Sequence, residues 1–73
     1  MLTNIRAYDD EGREIARGDI LFTGSTDGGS GFTFPRAGGL ASGVILARDR
    51  ARLDAGERVL VLLDDDFVRI EKA

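Results

Sequence analysis

The stretch "FTGSTDGGSGFTF", residues 22–34, places two Phe-Thr pairs on either side of a run built only from Gly, Ser, Thr and Asp. Such a run serves as a phosphate-cradling loop, a mobile linker or the tip of a β-hairpin. A phosphate loop needs its glycines to lead into a helix, whose N-terminus carries the positive end of the dipole. Here "GFTFP" follows, rich in β-formers and closed by Pro35, so no helix begins there. The flanking segments "ILFT" and "GFTF" carry matched aromatic alternation. Asp27-Gly28 between them is a strong hairpin signal, because both central positions of a type I′ turn require φ > 0. The reading is strand–turn–strand, with "STDGGS" as an exposed tip that tolerates shortening while Asp27-Gly28 is kept.

Working outward, the same period-two pattern recurs. Ile5 and Ala7 alternate with Asn4, Arg6 and Tyr8, and "DDEGRE" supplies a turn at which Gly12 takes positive φ. Ile15 resumes a strand, with a bend expected at Gly18-Asp19 before Ile20 and Phe22 share a face. Pro35 ends the next strand or places it at an edge, and "RAGGLASG" reads as a loop. "VILA", Val44 to Ala47, is a continuous apolar run and is expected to be buried on both faces. "RDRARLDAGE" holds one helical turn closed by Gly56, or a bare loop. "RVLVLL" reads as a central strand, "DDD" as a turn, and "FVRIEK" as a last strand with Val68 and Ile70 inward. The expected fold is all-β, a small barrel or sandwich of six to seven short antiparallel strands with at most one helical turn, in a single domain spanning 1–73.

A chain of 73 residues buries only about 60% of the surface its unfolded form exposes. Cysteine and histidine are absent, so neither a disulfide frame nor a thiolate zinc site supports the fold. Stability therefore rests on a small apolar core, or on a core shared between subunits. "RVLVLL" sharpens the point: Val59, Val61 and Leu63 face one way in a strand and Leu60 and Leu62 the other. Both sets are apolar, which calls for the barrel interior on one side and a second layer or subunit on the other. The runs "GVILA" and "VLVLL" fall far short of the roughly 20 residues that span a bilayer as a helix. "MLTNIRAYDD" lacks the basic and apolar regions of a signal peptide, so the expected location is the cytoplasm, or a virion if the chain is phage-encoded, with no membrane association.

Nucleophilic catalysis has little to work with, since the usual general base and the best nucleophile, His and Cys, are missing. The carboxylates Asp9, Asp10, Glu11 and Asp64 to Asp66 fall at expected turns, where Asp is favoured for its local hydrogen bonds. "DDDF" lacks the alternating spacing and terminal Glu of a calcium loop. No catalytic, cofactor-binding or metal-binding residue is assigned, and no cofactor is expected. Arg17-Gly18-Asp19 spells the integrin-binding tripeptide but reads as a bend between strands. Arg48, Arg50, Arg52 and Arg58 concentrate positive charge in a chain of net charge −3. The first three would share a face in an extended segment, available to phosphates or a partner's carboxylates. The opposing reading is a solvated loop whose arginines pair with Asp49, Asp54 and Glu57. No aromatic interleaves the segment, so base stacking has no support.

Two partial resemblances accompany these readings. "LDAGERVLVLLDDDFVRIEKA" resembles the C-terminal half of AbrB-type swapped-hairpin transcription factors through Leu53, Gly56-Glu57, Val59, Val61, Val68 and Ile70. "GFTFPR" is similar to that family's strand ending in Pro and a basic residue, although an additional strand separates Pro35 from Gly56 here. This resemblance implies an intertwined dimer gripping DNA with Arg36 and neighbouring arginines. "ASGVILARDRARLDAGERVLVLL" resembles phage head-decoration proteins over less than a third of the chain, implying a virion component.

The expected function is a non-catalytic structural or protein-interaction module, acting as an oligomer or within a larger protein assembly. The candidate contact residues are Arg48, Arg50, Arg52 and Arg58, together with Asp27, Gly28 and Gly29 at the hairpin tip. The alternative is a small nucleic-acid-binding protein using the Arg48–Arg58 cluster. The acidic balance, with a pI near 4.7, weighs against that alternative.

Overall fold

The computed structural model describes residues 2–36 and 38–73. The alternating segments form six strands: β1 (Leu2–Tyr8), β2 (Glu14–Thr26), β3 (Gly29–Arg36), β4 (Gly39–Leu46), β5 (Val59–Leu63) and β6 (Asp66–Lys72). One helix, α1 (Ala47–Asp54), joins β4 to β5. Each strand runs antiparallel to the next, and β6 returns to β1 from Ile5↔Lys72 to Tyr8↔Arg69, which closes a barrel. Closure satisfies the backbone groups that an open sheet would leave at its two edges. It is completed within one chain, not by the intertwined second copy that the AbrB resemblance implies.

Alternation fixes the interior. Ile5 and Ala7 of β1, Ile20 of β2, Phe32 and Phe34 of β3, and Ala41 and Ile45 of β4 all point in and are buried. So do Val59, Val61 and Leu63 of β5 and Val68 and Ile70 of β6. Two bulges in β2 bend this long strand around the barrel. In the first, Ala16 faces Ala7 and Glu14 faces Tyr8, leaving Ile15 as the extra residue. In the second, Phe22 faces Phe32 and Gly24 faces Gly31, leaving Thr23. The expected bend at Gly18-Asp19 is not one: Arg17, Gly18 and Asp19 stand in continuous register with Arg6, Ile5 and Asn4.

The decisive stretch is a hairpin, but its tip is shorter than the composition suggests. Ser25↔Ser30 and Thr26↔Gly29 are ladder pairs, so only Asp27 and Gly28 form the loop. Gly28 has φ +75°, while Asp27 does not take positive φ, so the turn is not type I′. Ser30 is buried, and trimming "STDGGS" would remove ladder pairs rather than slack. "RAGGLASG" is likewise mostly strand, since β3 continues to Arg36 and β4 starts at Gly39; Ala37 lies outside the described residues. Pro35 sits in β3 opposite Leu40, beyond the last β2 pair at Leu21↔Thr33, where no neighbour requires its missing N–H.

Two further expectations are corrected. In "VILA" only Ile45 is buried; Val44 and Leu46 are about half exposed, and Ala47 already belongs to α1. Helix α1 spans eight residues, more than the single turn expected from a segment whose one buried side chain is Leu53. Its ends explain how so weak a sequence holds. At the N-terminus, where no side chain caps, the Ala47 N–H donates to the Gly28 carbonyl at the hairpin tip (2.8 Å). At the C-terminus Gly56 takes φ +92°, with Gly56 N–H donating to the Leu53 carbonyl and Glu57 N–H to that of Arg52. That is a Schellman closure. Leu53 then plugs the open end of the barrel.

The β4–β5 seam is the shortest, with only Gly43↔Leu63 and Val44↔Leu62 paired. Asp64, at φ 53°, extends it: its N–H donates to the Ser42 carbonyl and its Oδ1 accepts the Ser42 N–H. Gly43 lets the strands meet, because a Cβ there would stand 2.7 Å from Phe32 Cζ and would collide with the Leu62 carbonyl oxygen. Gly43→Ala is therefore expected to destabilise the fold by about 1–3 kcal/mol, the usual cost of overpacking a core. Gly24→Ala, where a Cβ meets nothing within 4 Å, serves as the control. Thermal melts of the two variants check this: equal melting temperatures would show that the seam does not depend on Gly43.

Candidate contact surface

The candidate residues of the hairpin tip and the arginine-bearing helix α1 meet at one end of the barrel. The Gly28 carbonyl receives the first N–H of α1, which brings Asp27, Gly28 and Gly29 beside the arginine-bearing helix. Gly29 is required by packing, since a Cβ would approach the Ile45 carbonyl oxygen to 2.7 Å. Asp27 is exposed.

The arginines do not form one surface. In a strand Arg48, Arg50 and Arg52 would line one face, but α1 turns about 100° per residue, which puts Arg48 and Arg52 together and Arg50 opposite. Arg50 folds back onto the barrel, donating to Ser30 Oγ (3.1 Å) with its guanidinium 3.8 Å from the centre of the Phe22 ring. Phe22 in turn meets Phe32 edge-on, with ring centres 6.5 Å apart. An aromatic therefore does stand under the basic segment, supplied by β2 rather than by the segment itself. Arg52 bridges Asp49 and Glu57, both at 3.3 Å, which is the self-neutralised arrangement weighed from sequence. Asp54 engages Lys72 through its backbone carbonyl. Among the described residues Arg48 has no ion-pair partner, and it is exposed.

Arg58 belongs to a different group, on the seam that closes the barrel. It pairs with Glu71 (3.0 Å) and lies 3.9 Å from the centre of the Tyr8 ring. Tyr8 points outward from β1 yet is buried beneath these side chains. Hydrogen bonding to Tyr8, and then to Arg58, holds the Glu71 carboxyl below its usual range. Arg6 is held above its own, chiefly by its hydrogen bond with Tyr8. Arg6 Nε is buried without a hydrogen-bond partner, 3.9 Å from Glu14. This network joins β1 to β6 and leaves Arg58 little freedom to contact anything else.

The acidic turns have local roles. Asp9 Oδ1 accepts the N–H groups of Glu11 and Arg13 (both 2.9 Å), and these bonds, Arg13 first, hold its carboxyl below the usual range. Asp19 of the Arg-Gly-Asp sequence accepts from Asn4 within the β1–β2 ladder. A shallow cleft of about 350 Å³ lies among Asp9, Asp10, Ile15, Arg36, Asp65 and Phe67. Arg36 there pairs with Asp66 at 3.5 Å. Among the described residues no group of three His, Cys, Asp or Glu is placed to hold a metal ion.

The most distinctive surface is one the candidate residues did not include. Val44 stands opposite Leu62, and Leu62 opposite Phe67, so these outward side chains form one row across β4, β5 and β6. Leu46 and Leu60 continue it on the same side of β4 and β5. All five are between 43% and 63% exposed, although the interior positions of these strands are already filled. Among the described residues no second layer covers Leu60 and Leu62. The signal was present in "VLVLL", apolar at both parities, but the partnership with Val44 and Phe67 depends on strand register, which the sequence does not display. Comparisons with family models, curated proteins and solved structures find no match to this chain.

Arg50→Ala removes a charged hydrogen bond and a ring contact at the junction of helix and barrel. The expected cost is about 1–2 kcal/mol, whereas Arg48→Ala should stay within about 0.5 kcal/mol. Urea titrations followed by circular dichroism compare the two. Equal losses, or none in either, would contradict the division of roles among these arginines.

Proposed function

We propose that this protein is a non-catalytic interaction module that works in an assembly of protein chains, with the outward face of β4, β5 and β6 as its contact surface. The observation that carries the reading is the continuous row Val44–Leu62–Phe67 with Leu46 and Leu60, left half exposed beside a filled interior. Scattered surface leucines need no explanation, but a contiguous apolar patch marks a place of contact. The arginines favour the same reading: Arg50, Arg52 and Arg58 are engaged within the chain, which leaves little free positive charge to grip a phosphate backbone. A net charge of −3 further opposes approach to a duplex.

Fluorescence anisotropy with a labelled DNA duplex near physiological salt tests this directly. The expected result is negligible binding, together with an unchanged circular dichroism spectrum in a Leu60→Thr, Leu62→Thr variant, because outward residues kept for contact are not needed for the chain to fold. Submicromolar binding that weakens steeply with salt and disappears in an Arg48→Ala, Arg52→Ala variant would instead assign the protein to nucleic acid.

A further inference from the structure

We infer that the occupant of the β4–β5–β6 face is a second copy of this chain, docked about a two-fold axis near Leu62 so that the strands of the two faces run antiparallel. This rests on the reading of that face as a contact surface, and adds the partner and its orientation. The barrel is closed, so copies cannot associate by extending the ladder and must meet face to face. Two sheet faces pack about 10 Å apart, with strand directions within about 30° of one another.

Charge sets the orientation. Along β5 the apolar row ends on one side at the turn carrying Asp64 and Asp65, with Asp66 of β6 paired to Arg36 beside it, and on the other at α1, which carries Arg48 two residues beyond Leu46. These opposite charges are separated by the length of a five-residue strand, roughly 17 Å. A two-fold interface places each patch of one copy against its counterpart's complement: if residue i meets j, then j meets i. Antiparallel docking therefore sets the acidic turn of each copy against the helix of the other, twice. A parallel arrangement would oppose like charges at both ends. Among the described residues neither Arg48 nor Asp65 has an ion-pair partner within the chain, and both are exposed, so both are available for that contact.

Area sets how far the contact must spread. A standard stable interface takes about 800 Å² from each partner, a large share of a surface totalling 4505 Å². Five half-exposed side chains do not supply that alone. The contact has to extend onto the helix at one end and the acidic turn at the other, where the complementary charges lie.

Sedimentation equilibrium of the purified chain, from micromolar to millimolar concentration, is the test. The expected result is a reversible dimer of the 7.9 kDa chain, lost in Leu62→Lys, with circular dichroism confirming that this variant folds. Arg48→Asp and Asp65→Arg alone should each weaken the dimer about tenfold, since each reversal strikes two symmetric contacts. Combined in one chain they should restore it. A dimer lost in Leu62→Lys but indifferent to both reversals would overturn the orientation. A chain monomeric throughout would overturn self-association; the contact-surface reading would then stand or fall by its own DNA-binding and folding test. A dimer unaffected by Leu62→Lys would overturn both.

Discussion

Phe32 lies against the backbone of Gly43, in space that any side chain at position 43 would fill, and the barrel closes because of it. Five of the six strand pairings extend over four or more residue pairs, whereas β4 and β5 share only two. At that short seam the ring fills the interior, the glycine admits the neighbouring backbone, and Asp64 adds hydrogen bonds to Ser42. Without closure the chain would expose two strand edges and a core too small to stand in an open sheet. Closure at this seam, and at the β1–β6 seam under Tyr8, Arg58 and Glu71, takes the place of the disulfide that a cysteine-free chain cannot form.

The helix follows from the same geometry. Because β4 and β5 part after two pairs, the chain between them must cross the open end of the barrel, and α1 fills that end with Leu53. Little in "ARDRARLD" favours a helix by apolar pattern. The tertiary setting supplies what the sequence lacks: the Gly28 carbonyl for the first N–H, Ser30 and Phe22 for Arg50, and Gly56 for the exit. The cluster that suggested a phosphate grip in an extended chain is dispersed by this crossing, with Arg50 and Arg58 turned to structural contacts.

Much of the fold was legible in sequence because strand alternation is a local property. Ile5, Ala7, Ile20, Val59, Val61, Val68 and Ile70 all face inward as their spacing implies. What was not legible depends on register. The two bulges of β2 change which residues face in, Ile15 becomes a bulged and exposed residue, and "VILA" divides between a strand and a helix. The exposed apolar face was half visible: "VLVLL" announced an outward apolar pair, but only the pairings Val44↔Leu62 and Leu62↔Phe67 turn that pair into a surface. In the same way the hairpin tip, which looked the more conspicuous candidate, is occupied in holding the start of α1.

If the outward face of β4, β5 and β6 is the contact surface proposed for it, association shields that face and leaves the rest of the barrel as it was. Amide hydrogen exchange at low and at high chain concentration reports this residue by residue without altering the molecule. Among amides that exchange through local opening, higher concentration is expected to slow exchange in β4, β5, β6 and the start of α1 and to leave β1, β2 and β3 unchanged. Local protection rising only at β1–β3, or rising no more at β4–β6 than elsewhere, would rule that out.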